Sequence, residues 1–155
     1  MQLVDLISGV NRKIEQAIEA DLKPRGLAIE QYRVLRALKT DNGMPMGDLA
    51  ARVFVDSPTL TKIIDKMVAS ADVYRGPDPN DRRRVLIFIS DKGAALLADL
   101  LIFGEDAERS LIEHIGDQRA GELQEMLSLL LWEGKATKDA STVLGPAEAR
   151  ASNFA

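Results

Sequence analysis

Hydrophobic residues in the first half of the chain recur at intervals of three and four, a spacing typical of helices with one buried face. It predicts a helix from Leu3 to the breaker Lys23-Pro24-Arg25-Gly26, a second helix over 29–38 and a third over 46–53. Ser57-Pro58 predicts the start of a fourth helix that ends at about 70, because serine can cap the first turn and proline has no N–H to lose there.

The second half of the chain begins with a β pattern and returns to helices. Val73-Tyr74-Arg75 and the apolar run over 85–89 flank a segment rich in Gly, Pro, Asp and Arg, which predicts a hairpin with a long basic tip. Ser90 is expected to cap a long helix that runs towards His114, and a last helix is predicted over about 117–132. Periodicity then fails, so 135–155 is expected to be a poorly ordered tail.

Composition excludes several classes of protein and of site. The 155 residues suit one domain, and the absence of cysteine rules out disulfide frameworks, thiolate metal sites and cysteine nucleophiles. The single histidine, His114, is expected at the surface or in a dimer contact and not as a metal ligand. There is no phosphate-binding glycine loop or nucleophile elbow, so we expect neither an enzyme nor a cofactor.

Two further patterns concern the location of the protein and its charge. No apolar run is long enough to span a membrane and no secretory signal is visible at the start, so we expect a cytoplasmic protein with no membrane partner. The net charge of -4 argues weakly against a chain that coats nucleic acid. The segment from Lys62 to Lys92, however, carries seven basic residues against five acidic ones.

Three helices followed by a basic hairpin form the order of a winged helix-turn-helix, which suits duplex DNA. Five segments follow one another along these elements: Leu27-Ala28-Ile29-Glu30-Gln31-Tyr32-Arg33-Val34-Leu35, Leu49-Ala50, Val55-Asp56-Ser57-Pro58-Thr59-Leu60-Thr61-Lys62-Ile63-Ile64-Asp65-Lys66-Met67, Pro77-Asp78-Pro79-Asn80-Asp81-Arg82-Arg83 and Ile87-x-Ile89-Ser90-Asp91-Lys92-Gly93. Through these segments, over about 27–97, the sequence resembles the MarR (multiple antibiotic resistance regulator) family of bacterial transcriptional regulators. The wing is the most specific part of the resemblance.

The resemblance implies a mainly α fold with a small β-hairpin wing. It implies one domain over 1–134, in which dimerisation helices at about 1–22 and 100–134 flank a winged helix-turn-helix at about 28–92. The expected function is that of a homodimeric transcriptional repressor, not an enzyme, that binds a palindromic operator in double-stranded DNA. A small-molecule effector, such as an aromatic acid, is expected to release it.

The resemblance also implies roles for individual residues. The predicted DNA contacts are Ser57, Pro58, Thr59, Thr61, Lys62, Lys66, Arg82, Arg83 and Arg84. Asp81 is expected to support the wing by orienting Arg83 through a charge-assisted pair. The residues expected to line an effector pocket are Ser8, Asn11, Arg12, Tyr32 and Arg36, although Tyr32 also fits the hydrophobic core.

The chain departs from the family between the fourth helix and the hairpin. It has Ala71-Asp72 where the family usually has Gly-Leu, which places alanine at a helix end that favours a positive φ. An unsatisfied buried aspartate is costly, so Asp72 is expected to face solvent or to pair with a basic neighbour. This departure and the acidic balance leave an alternative open, a winged-helix protein-interaction module that has lost DNA binding.

Overall fold

The computed structural model describes the backbone of residues 1–140 and the side chains of residues 1–131. The chain divides into two compact units, Met1–Arg109 and a second that begins at Ser110. The elements are α1 Leu3–Leu22, a 3-10 turn Lys23–Arg25, α2 Ile29–Thr40, β1 Met44–Pro45, α3 Met46–Val53, α4 Ser57–Ala69, β2 Val73–Pro77, β3 Val85–Ile89, α5 Asp91–Ile115 and α6 Asp117–Ala140.

All six predicted helices and both strands of the predicted hairpin are present, in the predicted order. The predicted end of the last helix is wrong, because α6 continues to Ala140 and the first six residues of the expected tail, 135–140, are helical. Four of the six residues 135–140 are Lys or Ala, which continue an existing helix readily even without an apolar stripe. The rest of the expected tail, 141–155, lies outside the described residues.

Strand β1 was not predicted. It pairs antiparallel with β3, Met44 opposite Ile87 and Pro45 opposite Leu86, which completes a three-stranded sheet in the order β1-β3-β2. Two residues are too few to show an alternating pattern, and one of them is a proline, which sheets tolerate at an edge. The sequence therefore carries no signal for this strand.

One hydrophobic core in the first unit positions α4. Leu60, Ile64 and Met67 on the apolar side of α4 are buried in it, together with residues of α2, α3, β3 and α5. The opposite side of α4, which carries Lys62 and Lys66, is exposed. The predicted division of this helix into a buried and an exposed side is confirmed.

Asp56, and not Ser57, caps the N-terminus of α4. The Asp56 carboxylate accepts a hydrogen bond of 2.7 Å from the backbone N–H of Thr59. The predicted serine cap is wrong because the helix begins at Ser57, one residue earlier than a Ser57 cap requires, and the three-residue spacing from Asp56 to Thr59 fits a capping contact. Hydrogen bonds from the Thr59 hydroxyl and the Thr59 backbone N–H hold the pKa of Asp56 below its ordinary value.

Within residues 1–140, two residues other than glycine have left-handed backbones, and they lie at the turns on either side of α4. Phe54, between α3 and α4, has φ 60°, and Ala71, after the end of α4, has φ 62°. The positive φ predicted for Ala71 is confirmed. Its N–H donates to Val68 and that of Asp72 to Met67, the bonding pattern of a Schellman motif.

The apolar sides of α1 and α6 are exposed within the described residues. On α1 the exposed residues are Leu3, Val4, Leu6, Ile7 and Val10, and on α6 they are Met126, Leu127, Leu129, Leu130 and Leu131. Contiguous exposed apolar surface of this kind usually marks an interaction site.

We predict that Ala71→Gly stabilises the protein by about 0.5–1 kcal/mol, because glycine lacks the Cβ that makes a left-handed backbone costly. The free energy of unfolding from urea denaturation measures this change. Ala51→Gly, on the exposed side of α3, is the matched control and should destabilise by about 1 kcal/mol. An Ala71→Gly protein no more stable than the wild type would contradict the assigned strain.

We also predict a pH-dependent contribution from the Asp56 cap. Since the folded pKa lies below the ordinary value of 3.8, the contribution is complete above that value and is lost as pH falls through the folded pKa. Asparagine caps a helix at every pH, so the stability of the wild type relative to Asp56→Asn should decline between about pH 5 and pH 2. Thermal unfolding measures the difference, with Asp99→Asn on the exposed side of α5 as the control. A difference that is constant with pH would refute the cap.

Candidate nucleic-acid interface

The exposed side of α4 presents the residues predicted to contact DNA. Ser57, Pro58, Thr59, Thr61, Lys62 and Lys66 are all exposed. The Thr61 hydroxyl donates to the backbone carbonyl of Ser57 at 3.0 Å, which leaves its oxygen free only to accept. Because Asp56 forms the cap, the Ser57 hydroxyl is not needed to begin the helix.

One ion pair connects this side of α4 to the hairpin. The guanidinium of Arg75, on β2, lies 2.6 Å from the carboxylate of Asp65. Sequence reasoning counted both residues in the basic segment but did not pair them, because they lie on different elements. Arg75 therefore has a carboxylate partner, whereas neither Lys62 nor Lys66 forms an ion pair within residues 1–131.

Two aspartates organise the tip of the hairpin. Asp78 is buried and accepts a hydrogen bond of 2.8 Å from the backbone N–H of Asn80. Asp81 accepts one of 3.0 Å from the backbone N–H of Arg83. Backbone bonds from Asp78 to Arg84, 3.0 Å, and from Arg84 to Asp81, 2.9 Å, close the turn. The tip therefore has a defined backbone conformation.

The three consecutive arginines of the tip are all exposed, but they are not equivalent. The Arg84 guanidinium lies 3.9 Å from the carboxylate of Asp78. Those of Arg82 and Arg83 form no ion pair within residues 1–131. The expected side-chain pair between Asp81 and Arg83 is absent there as well, because the Asp81 carboxylate is engaged by the Arg83 backbone. Asp81 supports the tip through that backbone contact.

Asp72 is buried, so the expectation that it could face solvent is wrong. The other expectation, a basic partner, is confirmed by Lys92, whose ammonium lies 3.5 Å from the carboxylate of Asp72. Burial follows from the Schellman motif, which turns Asp72 back towards the last turn of α4.

A second candidate site is a cleft of about 380 Å³ beside α2. Its lining includes Asn11 of α1, Arg33 and Arg36 of α2, Arg52 of α3, and Phe54. Two residues of the predicted effector pocket, Asn11 and Arg36, are therefore brought together. Phe54 is the residue of this cleft that the sequence did not indicate. Its left-handed backbone is visible only in the structure, and its side chain is 74% exposed.

The other three residues of the predicted effector pocket do not line the cleft. Ser8 is exposed, and its hydroxyl donates to the carbonyl of Val4 at 2.9 Å. Arg12 is exposed on α1. Tyr32 belongs to the core, and its ring lies 5.6 Å from the guanidinium carbon of Arg36.

The three arginines of the cleft differ in their charge partners. Arg33 donates to Glu15 at 2.8 Å, and this hydrogen bond lowers the pKa of the Glu15 carboxyl. Arg52 lies 3.2 Å from the carboxylate of Asp41. Arg36 forms no ion pair within residues 1–131, so it supplies the uncompensated positive charge of the cleft.

The described residues contain no group of three or more potential metal ligands. His114 is exposed, with its Nδ1 atom 2.9 Å from the backbone carbonyl of Ser110. None of the helices in this part of the chain is both long enough and apolar enough to cross a membrane.

Comparison with known proteins finds similarity to one family. The model of the MarR family matches residues 27–85. The multiple antibiotic resistance protein MarR of Escherichia coli is 28% identical over 127 residues, 81% of this chain and 88% of the relative. The transcriptional repressor NicR of Pseudomonas putida is 34% identical over 101 residues, 64% of this chain and 61% of NicR.

A solved structure of a MarR variant from E. coli in complex with operator DNA is 28% identical, with a TM-score of 0.73, and the match covers 83% of this chain and 93% of that chain. NicR is named as a transcriptional repressor, and the fold of this chain is the winged-helix fold of the MarR structures. Residues 27–85 of this chain therefore match the MarR family of transcriptional regulators, and the fold is that of MarR structures.

Proposed function

We propose that this regulator is a homodimeric repressor that binds a palindromic operator and is released by a small effector. The observation that carries the proposal is the exposed cationic surface formed by α4 and the wing tip. Lys62, Lys66, Arg82 and Arg83 are exposed there and form no ion pair within residues 1–131. The operator complex of the E. coli relative supports the assignment of this surface to DNA.

In this proposal α4 enters the major groove and the wing follows the DNA backbone. Pro58 and Thr59 at the start of α4 lie near base edges, with Ser57 and Thr61 as further polar contacts. Lys62 and Lys66 contact phosphates, which position the helix without reading sequence. Arg83 reaches into a narrow minor groove or contacts its phosphates, where the negative potential attracts arginine, and Arg82 and Arg84 contribute beside it.

The exposed apolar sides of α1 and α6 support a homodimer, because each needs an apolar partner to leave water. We assign dimerisation to helices at about 1–22 and 100–134, which flank a winged helix-turn-helix at about 28–92 within one domain over 1–134. Two copies related by a two-fold axis present two recognition helices to the two halves of a palindrome.

The cleft beside α2 supports a site for a small aromatic acid. Its volume of about 380 Å³ suits a compact ligand. Arg36 supplies a positive charge for a carboxylate, and the exposed ring of Phe54 supplies an apolar surface for an aromatic ring. Such a ligand lowers operator affinity only as far as it prefers the DNA-free conformation.

We expect selection from a pool of random duplexes to recover an imperfect palindrome whose affinity falls steeply with salt. Arg83→Ala should weaken binding to that duplex by about tenfold to a hundredfold, roughly 1–3 kcal/mol. Arg25→Ala makes the same chemical change in the exposed 3-10 turn, outside the recognition helix, the wing and the helices assigned to dimerisation, and should bind like the wild type. If no duplex binds even at low salt, the protein-interaction module replaces the repressor as the better hypothesis.

For the effector site, we expect benzoate or salicylate to bind the wild type and to shift the NMR signals of Phe54. Arg36→Ala removes the uncompensated charge and should weaken this binding at least about tenfold, roughly 1.4 kcal/mol. Arg12→Ala is the matched control, since Arg12 lies outside the cleft, and it should leave affinity unchanged. Equal losses in both variants would show that the ligand binds elsewhere.

A further inference from the structure

Three elements meet at Asp72: the end of α4, the start of β2 and the first turn of α5. The Schellman motif brings the Asp72 backbone N–H to the carbonyl of Met67, 2.9 Å away. In the other direction, the Asp72 carbonyl accepts a hydrogen bond of 3.0 Å from the backbone N–H of Ser90. The backbone of Asp72 is therefore attached both to the recognition helix and to the residue that begins α5.

The first turn of α5 is packed directly on this carbonyl. A Cβ atom at Gly93 would lie 2.0 Å from the Asp72 oxygen, so only glycine fits there without a backbone shift. The Ser90 hydroxyl lies 2.7 Å from the carbonyl of Ala71 and accepts a hydrogen bond of 2.9 Å from the N–H of Gly93. These contacts would be available to any residue at position 72, because they use its backbone alone.

The side chain of Asp72 adds a charged contact that an apolar residue would lack. It is 4% exposed, and one carboxylate oxygen accepts a hydrogen bond from the Ser70 hydroxyl. The other oxygen is buried without a hydrogen-bond partner, and its nearest charge is the Lys92 ammonium at 3.5 Å. A buried carboxylate is costly unless it is compensated, and here the compensation comes from a residue of α5.

Lys92 reaches back across the junction to α4 as well. Its ammonium donates to the backbone carbonyl of Ser70, at the C-terminal end of the recognition helix. A cation near the last carbonyls of a helix also interacts favourably with the helix dipole. One ammonium therefore holds both the carboxylate of Asp72 and the end of α4.

We propose that Asp72 is a positioning residue for DNA recognition. With Lys92 and Ser70 it forms an ionic clamp that fixes the angle between the recognition helix and the wing. The Asp72 carboxylate is buried while the Lys92 ammonium is largely exposed, so the carboxylate is compensated only when Lys92 keeps this one position. Binding sites tolerate only small displacements of their parts. The proposal rests on the proposed operator binding, since a change in this angle would be detected as a change in affinity for DNA.

The clamp also assigns Lys92 a role other than phosphate contact. Lys92 is 62% exposed and belongs to the basic segment, so a direct contact with DNA is the competing interpretation. The two roles differ in one measurable respect. Loss of a phosphate contact lowers the dependence of affinity on salt, whereas loss of a positioning contact lowers specific affinity and leaves that dependence unchanged.

The first test is a double-mutant cycle in thermal unfolding, with no DNA present. Lys92→Met leaves the Asp72 carboxylate buried without a counter-charge and should lower Tm by roughly 10 °C. Asp72→Asn should cost less, and the double variant should be more stable than Lys92→Met alone. Lys92→Arg should keep Tm near the wild-type value. Additive effects would overturn the clamp, whatever the DNA results.

The second test measures binding to the selected duplex and to an unrelated one, well below every Tm. Asp72→Asn and the double variant should bind the selected duplex about tenfold more weakly, with an unchanged salt slope and non-specific affinity within about threefold of the wild type. Lys92→Arg should restore the affinity that Lys92→Met loses. Asp41→Asn is the matched control, because Asp41 forms an exposed pair with Arg52 at 3.2 Å and lies outside the recognition helix, the wing and the helices assigned to dimerisation.

The outcomes separate the two proposals. If the wild type selects no duplex, operator binding fails and the unfolding cycle still decides whether the clamp exists. If the wild type selects a duplex and Asp72→Asn binds it equally well, Asp72 has no positioning role. A lower salt slope for Lys92→Met, with no effect of Asp72→Asn, would assign Lys92 to phosphate contact and overturn the clamp.

Discussion

The burial of the apolar side of α4 is the constraint on which the rest of the molecule depends. Leu60, Ile64 and Met67 insert into a core built by α2, α3, β3 and α5, and this fixes which residues of α4 face outward. A rotation of the helix by one residue, about 100°, would expose part of that surface and bury a lysine, which costs far more than the polar contacts around the helix can return. The cationic face is thus set by hydrophobic packing.

Ion pairs divide the basic residues of the segment from Lys62 to Lys92 into paired and unpaired groups, which a count of residues does not reveal. Arg75, Arg84 and Lys92 all lie in the basic segment, yet each has an aspartate partner. Within this segment, the positive charge that has no ion-pair partner among residues 1–131 lies on Lys62 and Lys66 of α4 and on Arg82 and Arg83 of the wing tip. Such a surface on a chain with net charge -4 attracts DNA locally and repels it elsewhere, which favours specific over non-specific complexes.

Apolar spacing and turn residues predicted the helices and the hairpin, because both depend only on short stretches of sequence. It could not predict β1, whose pairing with β3 is long-range, or the left-handed backbone of Phe54, which no local residue pattern indicates. For Asp72 the sequence showed a departure from the family pattern and predicted that the carboxylate faces solvent or pairs with a basic neighbour. The choice of Lys92 and the burial of the carboxylate depend on how α5 packs against the end of α4.

The ends of α4 are held in different ways, and this bears on regulation. At the N-terminal end the helix is held by the exposed Asp56 cap, which follows the left-handed Phe54. The Phe54 ring lines the cleft and is largely exposed, so its burial contributes little to stability. At the C-terminal end the strained Ala71 precedes Asp72, whose buried carboxylate pairs with the exposed Lys92 ammonium. A ligand that moves Phe54 therefore acts on the less constrained end of the helix. With the proposed clamp intact, such a movement becomes a tilt of α4 about its C-terminal end, which displaces Pro58 and Thr59 from the bases while the wing keeps its place.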